Sequence, residues 1–240
     1  GMGPICVKNH LKKYLPSFEL DINTSELKNI IAAAPYSSAS ILLISYAYIK
    51  LMGGNGLTMA SKNAILKANY IKTRLNDYFP TLYSNHNGFV AHELIIDCRS
   101  FKKTANITVE DIAKRLIDYS FHAPTLSWPV AGTLMIEPTE SESLAEINRF
   151  CDAMIHIYHE IQEIADEKYN KINNVLKNAP HTQKMVCADQ WPYAYSREKA
   201  AFPTKTLYNN KFWPTVTRIN QSKGDRELIC TCDTTLLTKN

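Results

Sequence analysis

Ser37, Ser38 and Ser40 follow Tyr36 just before the apolar run that begins at Ile41. Three hydroxyls beside the unpaired N–H groups of a helix start form an arrangement that stabilises an anion. The same serines also make ordinary helix N-caps, and on the residues alone capping is the simpler use. A second concentration of reactive side chains runs from His122 to Ser143, HAPTLSWPVAGTLMIEPTESES. Pro124, Pro129 and Pro138 fix its path, while His122, Thr125, Ser127, Glu137, Thr139, Glu140 and Ser141 supply acid, base and hydroxyl groups. Loops this dense in turns and polar groups often carry function, though composition does not say which.

Other pairings carry less. His156 and His159 stand one helical turn apart and could share a metal, but zinc would need a third ligand that the sequence does not single out. Both fall opposite Leu144, Ile147 and Met154, on the face expected to be solvated, so no metal site is expected. His92 and Glu93, as strand neighbours, point to opposite faces and cannot act as an acid–base couple. Cys230 and Cys232 read as unreactive thiols rather than as a disulfide. Gly53-Gly54-Asn55-Gly56 lacks the spacing of a phosphate loop and reads as helix punctuation.

The elements that must position these groups follow from periodicity and capping. One helix is expected from the serines to Gly53–Gly56, where glycine allows the positive φ of a C-cap. Thr58 would cap a second, to about Tyr78, with Ala64, Ala68, Ile71, Leu75 and Tyr78 on one stripe. Phe89–Asp97 reads as a strand with Val90, His92, Leu94 and Ile96 on one face. Thr108 and Asp111 form a capping box before the amphipathic run Val109, Ile112, Ala113, Leu116, Ile117. Thr133–Glu137 is a second strand. Ser143 and Glu146 open a helix whose stripe is Leu144, Ile147, Cys151, Met154, Tyr158 and Ile161. Beyond Asn173 periodicity fades, and a surface-wrapping path is expected. The fold class is α/β, with a boundary near residues 80–88 between a mainly helical lead-in (1–80) and a small α/β domain (81–240).

Composition bounds the function. In 240 residues, 45% hydrophobic and 21% charged, collagenous and disordered classes are excluded. A net charge of +4, spread along the chain, does not announce a nucleic-acid partner. The longest apolar run, Ile41–Met52, is about half of a bilayer span and includes Lys50, so no membrane partner is expected. GMGPICVKNH holds no apolar signal core, and six cysteines are too sparse for a disulfide scaffold. Cytosol or an organelle matrix is the expected compartment.

The stretches GMGPICVKNHL, AAPYSSASILLIS, AILKANYIKTRL, VAHELIIDCR, ITVEDIAKRLIDYSFHAPTLSWPVAGTLMIEPTESES, LKNAPHT, YSREKAAFP, KFWP and GDRELICTC run in order from residue 1 to about residue 232. Together they resemble the C-terminal part of glycine dehydrogenase (decarboxylating), the P-protein of the glycine cleavage system. The resemblance implies a fold-type-I pyridoxal-phosphate (PLP) enzyme, with residues 1–80 ending its large domain and 81–240 forming its small C-terminal domain. It implies glycine as substrate and a lipoylated H-protein as partner, together with a second subunit or the N-terminal half of the P-protein. Bacterial cytoplasm or mitochondrial matrix would be the location. The family's cofactor lysine precedes a glycine-rich run inside which this chain begins, at Gly1-Met2-Gly3-Pro4. The chain alone is therefore expected to bind no PLP and to be inactive, with neither Lys8 nor Lys50 a substitute. Ser37, Ser38 and Ser40 become candidate contacts of the PLP phosphate across a dimer. His122, Thr125 and Thr139 become candidates for the wall of the active site or lipoyl channel. Three residues depart from the family's pattern: Ser37 and Ser120 replace glycines, and Leu43 replaces a common proline. If the backbone needs positive φ at a serine, the cost is about 1 kcal/mol. A non-catalytic dimerisation or partner-binding domain that keeps the fold is the alternative.

Overall fold

A computed structural model describes residue 3 and residues 5–15 and 38–227. Two compact units divide the chain, Gly1–Ala60 and Ser61–Asn240. In the first, 3-10 turns cover Asn9–Tyr14 and Ala39–Ile41, and the second turn leads into α1, Leu42–Leu75. The break expected at Gly53–Gly56 falls at Gly53, where two helical runs meet across a kink with no loop between them. Gly53 takes φ 59° and ψ −177°, a conformation that side chains resist, and the helix resumes immediately. Thr58 is consequently not an N-cap. Its hydroxyl donates to the Gly54 carbonyl at 2.9 Å, a bond made inside a continuing helix.

Within the second unit, the predicted stripe of α1 holds: Ala68, Ile71 and Leu75 are buried. The strand expected from Phe89 begins only at β1, Leu94–Asp97. The cause is local. Asn69 donates to the Val90 carbonyl at 2.9 Å and accepts from the Val90 N–H at 3.0 Å, giving that backbone the partners a ladder would otherwise supply. His92 is thereby left exposed, while Leu94 and Ile96 enter the core. β2 (Thr125–Leu126) and β3 (Thr133–Ile136) complete an antiparallel sheet of order β1-β3-β2, with Leu94 opposite Ile136 and Thr125 opposite Met135. Gly132, in the connection before β3, has φ 81°, and a Cβ there would stand 2.7 Å from Arg99 Cγ. The site needs glycine twice over.

Helix α2 spans Ser100–Ala105, and α3 spans Val109–Asp118 behind the predicted capping box of Thr108 and Asp111. Helix α4, Leu144–Ala165, starts where Ser143 accepts from the Glu146 N–H at 3.2 Å. Ile147, Cys151, Met154 and Ile161 are buried along the predicted stripe, while Leu144 at its open end is exposed. Short helices follow: α5 (Val175–Asn178), α6 (Gln183–Val186), α7 (Arg197–Ala201), α8 (Leu207–Asn210) and α9 (Gln221–Arg226). The segment read from sequence as a surface wrap sends Val175, Leu176, His181, Tyr195, Ala200 and Leu207 into the interior. Helices α5, α7 and α8 contribute one or two anchors each and α6 and α9 none, too few to produce a period.

Candidate functional site

A cleft of about 380 Å³ opens in the second unit, and the His122–Ser143 segment forms much of it. Ile71 of α1, Met135 and Ile136 of β3, and Ile147 and Phe150 of α4 supply an apolar floor. Phe121 joins them because of how α3 ends. Ser120 takes φ 61°, the Phe121 N–H returns to the Leu116 carbonyl at 3.0 Å, and the Phe121 ring meets Phe150 edge to face at 5.4 Å. Arg149 lies 3.7 Å from the Phe121 ring centre and donates to the Tyr119 carbonyl at 3.0 Å, fixing that ring from behind.

The sequence-selected residues divide at this cleft. His122 and Thr125 both line it, with Glu137, Pro138, Glu142 and Glu146 at its other side. Thr139 does not line it. With φ 55° and its hydroxyl 3.0 Å from that of Ser141, Thr139 shapes the turn between Glu137 and Glu142. Glu146 accepts from Arg149 Nε at 2.8 Å, and this hydrogen bond holds its carboxyl below the usual range. No lysine or arginine is among the described residues lining the cleft.

The serine cluster belongs to the first unit. Ser38 and Ser40 are exposed at the 3-10 turn before α1, and Ser38 makes no side-chain capping hydrogen bond. Ser37 and the Cys230/Cys232 pair lie outside the described residues. His156 and His159 are exposed on α4, against Tyr119 and against Tyr78 and Tyr158 respectively.

Sequence reasoning missed a buried ionic hub. Arg115, fully buried on α3, uses all five of its N–H donors. Nε and Nη2 form a fork on Glu160 of α4 at 2.9 and 2.7 Å. Nη1 donates to Asp118 at 3.0 Å and to the Ala200 carbonyl at 3.0 Å, and Nη2 also reaches the Lys199 carbonyl at 2.7 Å. Burial opposes the charge on Arg115, but Glu160 outweighs it and raises the guanidinium's pKa. Asp118 accepts from the His181 N–H at 2.7 Å and pairs with His181 Nδ1 at 2.8 Å, while Nε2 meets the Tyr195 hydroxyl at 2.8 Å. Burial raises the Asp118 carboxyl, yet the His181 bond and the Arg115 charge bring it below its ordinary value. Lys211 donates to the Asp118 carbonyl, and desolvation lowers its pKa to about 8. One signal was available: Asp111, Arg115 and Asp118 recur at helical spacing beside Ile112 and Leu116, a charged stripe on a face that should be dry.

The model of the glycine dehydrogenase C-terminal domain matches residues 60–181, a range that contains the cleft and most of the hub. The chain belongs to the glycine dehydrogenase family. It is 54% identical over 234 residues to the mitochondrial glycine dehydrogenase (decarboxylating) of Dictyostelium discoideum. Identity is 56% over 237 residues with the glycine dehydrogenase (decarboxylating) of Christiangramia forsetii and 57% over 232 residues with that of Thermosynechococcus vestitus. These alignments cover 97–98% of this chain and 24% of each relative, so the chain spans about a quarter of the length of the glycine dehydrogenases it matches.

Proposed function

We propose that the chain is the C-terminal part of a PLP-dependent glycine decarboxylase that passes the aminomethyl group of glycine to the lipoyl group of H-protein. The observation that carries this reading is 54–57% identity to glycine dehydrogenases across nearly the whole chain. Balanced, glycine, the lipoyl disulfide and one proton give CO₂, an S-aminomethyl thioether and a thiol. When bound, the cofactor supplies an electron sink for the pair released with CO₂. In this reading residues 1–80 close the large domain and residues 81–240 form the small one, in bacterial cytoplasm or mitochondrial matrix.

The residues present suit the cofactor's phosphate. Ser38 and Ser40 are exposed at a helix start, and the Ser38 hydroxyl is not spent on capping. With Ser37 they would bind that anion across a subunit interface. The helix that follows is apolar around its circumference: Leu42, Leu43, Ile44, Tyr46, Ile49 and Leu51 are all exposed. A helix of this kind suits burial in a larger protein, and none among the described residues is long and apolar enough to cross a membrane. His122 and Thr125 would face the active site or lipoyl channel from the cleft wall, with Thr139 holding the turn at its mouth.

The test uses the complete parent enzyme loaded with PLP. Glycine-dependent CO₂ release that requires a lipoylated carrier is expected, with His122→Ala raising the KM for the carrier. A folded, PLP-loaded parent without glycine-dependent release would overturn the reading in favour of a non-catalytic binding domain.

A further inference from the structure

The cleft has a chemical character of its own. Its floor is apolar, built from Ile71, Phe121, Met135, Ile147 and Phe150, so it suits an aliphatic chain. Its polar side is acidic: Glu137 and Glu142 are exposed at the mouth, with Glu146 deeper on α4 and already paired to Arg149. This acidity is local: the whole chain carries a net charge of +4, and Lys67, which reaches the same turn, is bound to the Glu140 carbonyl. An aliphatic stem lying on the floor would bring its tip to the two carboxylates. A cationic tip is favoured there, a neutral tip gains nothing, and an anionic tip is repelled.

We propose that this cleft binds an aliphatic chain ending in a primary ammonium, and that its occupant is the carrier's lipoyl arm after it has received the aminomethyl group. The occupant rests on the proposed function; the ligand chemistry rests on the cleft alone. The arm arrives as a neutral disulfide and leaves with an ammonium beside its thioether sulfur. Glu137 and Glu142 therefore distinguish the loaded arm from the empty one. Their contribution is to set which form of the arm stays.

The 240-residue chain is titrated with hexylamine, hexanol and hexanoate, following the ¹³C-methyl resonance of Met135 in the cleft floor. Hexylamine is expected to bind about fivefold tighter than hexanol, the scale of partly exposed ion pairs, with hexanoate weakest. The preference should shrink as salt screens the carboxylates. Glu137→Gln with Glu142→Gln should abolish it while hexanol binding persists, which also shows that the variant is folded. Equal binding of amine and alcohol, or a preference that survives the double variant, overturns the proposal. A stable stand-in for the loaded arm, dihydrolipoamide carrying a 2-aminoethyl thioether, is then compared with lipoamide. Tighter binding of the amine-bearing form supports the assigned occupant, and equal or weaker binding overturns it. These measurements need no catalysis. An inactive parent would sink the proposed function and the arm as occupant, and the hexylamine result would still decide the ligand chemistry.

Discussion

Replacing Arg115 with methionine should be among the most damaging single changes available to the second unit. Methionine keeps much of the side chain's length and apolar bulk, so the loss is chiefly electrostatic. Glu160 loses both arms of its fork, at 2.9 and 2.7 Å, and is left 7% exposed without that counter-charge. Asp118 keeps His181 but loses the Arg115 bond, and the carbonyls of Lys199 and Ala200 lose their donors. Stranding one partner of a buried ion pair costs about 3–5 kcal/mol, against a total stability of about 5–15 kcal/mol for a domain. If the damage comes from stranded charge, removing the charge should undo part of it. Arg115→Met with Glu160→Met, a volume-matched apolar pair, should recover at least half of the single-variant loss. Urea unfolding followed by circular dichroism measures both, provided the slope stays constant so that the midpoint reports stability alone. A single-variant cost under about 1 kcal/mol, or a double variant showing the simple sum of two losses, would refute the reasoning.

Ser120→Gly sets two terms of similar size against each other. Relief of the residue's positive φ is worth about 1 kcal/mol, and loss of the exposed hydrogen bond from the Phe212 N–H to its hydroxyl, 2.9 Å, costs about 0.5 kcal/mol. The expected urea midpoint is unchanged to slightly raised, and a loss beyond about 1 kcal/mol means the tail contact dominates. Lys211 has a folded pKa near 8, below its ordinary 10.5, so the unfolded chain binds more protons between those values. Its contribution to stability should therefore rise with pH across that window, and subtracting the Lys211→Met profile from the parent profile should isolate a rise that a flat difference would exclude. In the complete parent enzyme, Ser38→Ala with Ser40→Ala should weaken PLP retention by up to about 1.5–3 kcal/mol for each lost charge-assisted bond. Unchanged retention in equilibrium dialysis, with only thermal stability lost, would make the serines plain caps.

Helices α3 and α4 were legible because each combines a capping signal with a clean stripe, and both signals are local. β3 was legible for a similar reason, as a short apolar run closed by Pro138. β1 was misjudged upstream because the decisive partner of Val90 is Asn69, twenty-one positions away and on a helix. The segment from His122 to Ser143 was visible as a dense patch of polar groups and turns. The floor that makes it a cleft was not, since Ile71 and Phe150 meet it only through tertiary packing. Arg115 shows the same limit more sharply: its charge is in the sequence, but its acceptors arrive from α3, α4 and α7.

Two of the five hydrogen bonds made by Arg115 end on main-chain carbonyls, those of Lys199 and Ala200. A carbonyl is contributed by every amino acid, so these two contacts record where the chain passes rather than which side chains it bears. Drift at position 199 should leave the guanidinium satisfied as long as α7 keeps its course. A one-residue insertion or deletion just before α7 would strand two donors at once, even if every side chain around the arginine were retained. Length is therefore guarded more strictly than composition between His181 and Arg197, and engineered tags or loop grafts in that interval should be exchanged residue for residue.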